Sequence, residues 1–86
     1  MKALLLKVER HPSSYGGAFF YFFFKGEDGK SYRMCVKPGY ENFGRWQNLA
    51  LHPENVWLDG LRMLRPGLLD ADSWPQHIEA PAAVTP

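Results

Sequence analysis

Six aromatic residues follow one another in this chain, Phe19-Phe20-Tyr21-Phe22-Phe23-Phe24, and two cations, Arg33 and Lys37, lie a hairpin's length downstream. Flat rings beside cations suit one kind of chemistry. Unpaired bases stack on aromatic faces, gaining ~1–3 kcal/mol each, while Arg and Lys take the phosphates. Which rings share a face depends on strand pairing, because side chains alternate along a strand. A two-residue loop pairs Phe24 with Arg33, and a four-residue loop pairs Phe22 with Arg33. Both place Phe19, Tyr21, Phe23, Tyr32, Met34 and Val36 on one face, expected to be core. Both place Phe20, Phe22, Phe24, Arg33, Cys35 and Lys37 on the other, expected to point outward. Two readings of that outer face stand side by side. In one it binds single-stranded nucleic acid, helped by Lys7 and Arg10. In the other it is covered by the C-terminal segment, a protein partner or a second copy of the chain, since a row of exposed Phe invites association.

Other reactive residues are scattered. His11, His52 and His77 are read into separate loops beside Pro or Gln, with no i, i+4 pair and no H-E-x-x-H. Cys35 is mid-strand and has no His near it in sequence, so it reads as an apolar filler. Asp70-Ala71-Asp72 puts two carboxylates on one strand face without an evident third oxygen donor for a cation. The bend from His11 to Gly17, with Tyr15 and the Gly16-Gly17 pair, is either a ligand-contacting loop or a plain turn. We therefore expect a binding module rather than an enzyme, with no metal and no cofactor.

The elements that must position these residues follow from periodicity. Ala3–Glu9 reads as a strand with Leu4, Leu6 and Val8 on one face, although Leu5 breaks the alternation. Ala18–Lys25 is a second strand, Gly26-Glu27-Asp28-Gly29 a turn, and Lys30–Lys37 a third strand with clean alternation. After Pro38-Gly39 the period lengthens: Phe43, Trp46, Leu49 and Ala50 fall at helical spacing, with Asn42 as N-cap and Pro53 as the stop. Val56–Leu64 is a fourth strand bent at Gly60, and a fifth opens at Leu68 and resumes near His77. The 86 residues make one domain over 1–79, and residues 80–86 are expected to be a flexible tail.

Composition narrows the class further. Aromatics are dense at 15%, and the single cysteine excludes an intramolecular disulfide framework. Net charge is only +1, but it is unevenly spread. Residues 1–40 hold seven Lys/Arg against three Asp/Glu, whereas residues 41–86 hold three against six. No apolar run approaches the ~20 residues needed to cross a bilayer, and the apolar start is interrupted too early for a signal peptide. A soluble, cytoplasmic protein with no membrane partner is expected.

This order, with Tyr15-Gly16-Gly17 leading into the long second strand, the Asp28-Gly29-Lys30 hairpin, Phe43 and Trp46 on a helix, and Val56-Trp57-Leu58-Asp59-Gly60-Leu61, resembles the OB-fold family. The resemblance implies an all-β Greek-key barrel of five strands, with one short helix between strands three and four. It also implies that strands two and three and the loop between the first two strands meet a single-stranded ligand.

Overall fold

A computed structural model of the chain describes residues 1–14 and 16–79. Five strands and one helix follow in the order β1 (Lys2–Pro12), β2 (Ala18–Gly26), β3 (Ser31–Val36), α1 (Phe43–Leu51), β4 (Val56–Arg65) and β5 (Leu68–Glu79). The strands close into a barrel, β1-β2-β3-β5-β4, in which β4 returns to β1. All pairings are antiparallel except β3 with β5, which meet in parallel at Arg33 and Leu68. The expected all-β barrel with its helix between the third and fourth strands is the observed fold. Closure suits so small a chain, because it brings the outer strands together, β1 with β4 over three residue pairs and β3 with β5 at one.

Hydrophobic burial inside the barrel holds it together. Phe20, Phe22 and Phe24 from β2, Met34 and Val36 from β3, Leu58 and Leu61 from β4 and Leu69 from β5 are all essentially inaccessible. The helix closes one end of this core. Trp46 is buried and meets Phe22 edge-on at 5.2 Å, and Leu49 lies beside it on the same helical face. Trp74 of β5 packs against Trp46 at 4.8 Å, which ties the last strand to the body. Asn42 caps α1 in a left-handed conformation at φ 61°, with no side-chain hydrogen bond to the helix. The first turn is held instead by its carbonyl, which accepts from the N–H groups of Arg45 and Trp46. Asparagine tolerates that backbone region better than most residues.

Two local irregularities set the geometry. In β1 the register slips between Leu5 and Lys7, so Leu6 is an extra residue and points to solvent. Ala3 and Leu5 are therefore the buried residues of this strand, rather than the expected set of Leu4, Leu6 and Val8; only Val8 of that set packs against the core. In β4, Gly60 at φ 103° marks the bend foreseen from the sequence. Its N–H and that of Leu61 both donate to the Met1 carbonyl, which seals β4 onto the start of β1. Opposite the bend the register with β5 jumps from Asp59–Gln76 to Leu61–Ala71.

Several boundaries move outward from the sequence reading. β1 continues through His11 and Pro12, which pair with Phe19 and Ala18. β4 extends to Arg65 and β5 runs unbroken to Glu79. Residues 80–86, expected as a tail, lie outside the described residues.

Candidate functional site

The hairpin joining β2 and β3 decides which rings are available. Its loop is Glu27-Asp28-Gly29: Gly26 N–H donates to the Lys30 carbonyl at 2.9 Å, and Gly29 N–H donates to the Gly26 carbonyl at 3.0 Å. Gly29 takes φ 80°, the left-handed position that a three-residue hairpin loop requires. Asp28 fastens the turn by accepting from Lys30 N–H at 3.0 Å and from the Tyr32 hydroxyl at 2.6 Å. Those two bonds, Tyr32's first, hold the Asp28 carboxyl below its ordinary value.

An odd loop pairs Phe24 with Tyr32, Phe22 with Met34 and Phe20 with Val36. Residues directly opposite share a face. Phe20, Phe22 and Phe24, expected on the outer face, are therefore core, and cannot meet a ligand. The two even loops considered from the sequence shift β2 by one residue relative to β3, and one residue inverts every side chain. Tyr32, Met34 and Val36 point inward as expected, while Arg33 is exposed and Cys35 half-buried on the outside.

The outer face carries the complementary set. Phe23 lies opposite Lys7 on one side and Arg33 on the other, Tyr21 lies opposite Glu9 and Cys35, and Phe19 lies opposite His11. The rings form a continuous row. His11 stacks on Phe19 at 5.4 Å and meets Tyr21 edge-on at 5.1 Å. Phe19 and Tyr21 are 5.5 Å apart, Tyr21 and Phe23 6.4 Å. Lys7 Nζ sits 4.8 Å from the Phe23 centroid, within cation–π range. The bulge at Leu6 contributes to this arrangement, since it turns Lys7, Glu9 and His11 outward together while Val8 stays inside.

Glu9 lies at the centre of the β1 edge of this face. Its Oε2 accepts from Lys7 Nζ at 3.2 Å and its Oε1 lies 3.3 Å from His11 Nε2. Hydrogen bonds from Lys7 and then His11 hold the Glu9 carboxyl below its ordinary value. These are surface pairs and contribute little to stability.

At one end of the row a cleft of about 450 Å³ opens between the β1–β2 loop and the end of β3, lined by Ser13, Ser14, Phe19, Tyr21 and Lys37. Lys37 thus stands beside Phe19 and Tyr21 rather than beside Phe20, Phe22 and Phe24. At the other end the β4–β5 turn docks on β3, where Arg33 N–H donates to the Gly67 carbonyl at 3.0 Å. Met63, Leu64 and Arg65, the last residues of β4 before that turn, are exposed. Arg10 departs from expectation: it lies opposite Phe20, on the other side of β1 from the aromatic row, and is exposed. Tyr15 lies outside the described residues.

No family model matches the chain, and no curated protein or solved structure gives a significant match to it.

The remaining candidates are placed elsewhere. Asp70 accepts from the Tyr40 hydroxyl and from Arg62 at 3.0 Å. Burial alone would raise its pKa, but these bonds outweigh it and the carboxyl is held low. Burial, and then the bond to Asp70, push the Tyr40 phenol up to about 12. Among the described residues, no three His, Cys, Asp or Glu side chains converge as metal ligands would. A second cleft of about 350 Å³ lies between α1 and β5, lined by Arg45, Asn48, His52, Glu54, Trp74 and His77. His77, read from the sequence into a loop, is part of β5 and stacks on Trp74 at 5.0 Å. No helix among the described residues is long and apolar enough to cross a membrane.

Proposed function

We propose that this protein is a non-catalytic binding module of the OB-fold type, and that the outer face of β1, β2 and β3 binds single-stranded nucleic acid. The observation that carries this reading is the unbroken outward row of His11, Phe19, Tyr21 and Phe23, with Lys7, Arg33 and Lys37 around it. Strand order β1-β2-β3-β5-β4 with a helix between β3 and β4 supports the OB-fold reading, and in that family the face of strands two and three meets oligonucleotides. Phe19, Tyr21 and Phe23 are each partly exposed on this face, as rings that take part in base stacking must be.

Few cations border the row, and one carboxylate stands among them. Binding should therefore be modest, micromolar or weaker at physiological salt, with a shallow salt dependence. Fluorescence anisotropy tests this with a pyrimidine strand of ~10 nucleotides against its duplex. The single strand should bind better, because a duplex offers no unstacked bases. Equal binding of both, or none at low salt, overturns the proposal. Self-association of the wild type in light scattering, abolished by Tyr21→Glu, would instead assign the face to a subunit interface.

A further inference from the structure

We infer that Glu9 makes this face selective for bases that carry an exocyclic amino group, cytosine above uracil or thymine. The inference rests on the nucleic-acid reading above and names a specificity that follows from one side chain. Glu9 lies directly opposite Tyr21, the middle ring of the row, with Phe23 and Phe19 flanking it along β2. Directly opposed residues on a sheet face have Cβ atoms ~4.5–5.5 Å apart. A base stacked on Tyr21 is wider than the separation of its neighbours, so its edge overhangs the opposed residues, Glu9 on β1 and Cys35 on β3. Cys35 offers only a weak donor and acceptor. Glu9 is therefore the group that meets the base edge.

The chemistry of that meeting is set by charge. An ionised carboxylate only accepts hydrogen bonds, through two oxygens with about four lone-pair positions. Lys7 occupies one position on Oε2 and His11 one on Oε1. The Glu9 side chain remains 42% exposed, which leaves acceptor capacity pointing to solvent. Cytosine presents its N4 amino group as a donor, the pairing that carboxylates make with this base. Uracil presents a carbonyl oxygen in the same place, which the carboxylate repels. The two flanking side chains orient Glu9 by hydrogen bonding, and the Lys7 charge offsets its repulsion of phosphates nearby.

Anisotropy with ten-nucleotide oligo-dC and oligo-dU at pH 7.5, the two bases being nearly equal in size, measures this directly. Oligo-dC should bind about fivefold or more tightly. In Glu9→Gln the amide both donates and accepts, so the preference should collapse, with dU binding strengthened by loss of the negative charge. Equal affinities for the two strands in the wild type, or an undiminished preference in Glu9→Gln, overturn the inference while leaving the binding face intact. Failure of both strands to bind at low salt overturns the nucleic-acid reading itself and the inference with it.

Discussion

Phe22 lies directly opposite Met34 across the β2–β3 hairpin, and both side chains are fully buried. That single pairing fixes the sidedness of the whole aromatic strand. It sends Phe20 and Phe24 inward with Phe22, and Phe19, Tyr21 and Phe23 outward.

The two sets of rings should therefore behave oppositely on mutation. Phe22→Ala should destabilise the barrel by about 3–5 kcal/mol, the usual cost of truncating a buried aromatic ring. Tyr21→Ala should cost less, because its ring is only partly buried on the outer face. Urea midpoints of the two variants give the comparison. Similar losses in both would contradict the assigned sidedness.

The fold was legible from the order of periodic segments, whereas the parity of β2 was not. Alternation in β3 is visible because Ser31, Arg33 and Cys35 separate Tyr32, Met34 and Val36. In β2 both faces are aromatic, so hydrophobicity carries no information about which is core. Only the loop length decides, and Asp28-Gly29 suits a two-residue turn as readily as the three-residue loop observed. The same degeneracy hid the bulge in β1, where Leu4, Leu5 and Leu6 look alike. His11 reads as a loop residue because Pro12, two serines and Gly16-Gly17 follow it. The i, i+2 spacing of Lys7, Glu9 and His11 was the signal that could have placed all three on one face.

The hairpin loop offers an independent check on that parity. A Cβ at Gly26 would lie 2.6 Å from the buried Tyr32 ring, whereas one at Gly29 meets nothing within 4 Å. Gly26→Ala should cost about 1–3 kcal/mol by overpacking. Gly29→Ala should cost about 1 kcal/mol, through its positive φ alone. Thermal melts of the two variants rank them, and the reverse order would contradict the observed loop.

Tyr40 joins the segment before α1 to β5, since its hydroxyl donates to Asp70 and accepts from Ala71 N–H at 3.1 Å. Tyr40→Phe should lose about 1–3 kcal/mol near neutral pH. The phenol's folded pKa, about 12, lies above its ordinary 10.0. Its contribution is thus fully present below pH 10 and is lost as pH rises toward 12, because the unfolded chain releases the proton first. The stability gap between wild type and Tyr40→Phe should shrink across that window in urea titrations. A gap that is constant from pH 9 to 12 would contradict this role.

Stacking and phosphate contacts should separate in a salt series. Tyr21→Ala should weaken single-strand binding by ~1–3 kcal/mol with the salt slope nearly unchanged, because stacking releases no counterions. Arg33→Ala and Lys37→Ala should each reduce the slope by about one. Arg10→Ala, on the other side of β1, should change neither quantity appreciably. A slope unchanged by Arg33→Ala would remove that residue from the contact set.

The most direct test of the binding face is residue-resolved. In a ¹H–¹⁵N spectrum titrated with a ten-nucleotide cytosine strand, amides of Lys7, Glu9, His11, Phe19, Tyr21, Phe23, Arg33 and Cys35 should shift together, while those of α1 and the His77 end of β5 stay still. Shifts gathered instead around Arg45, Trp74 and His77, or no shifts at millimolar strand, would contradict the account.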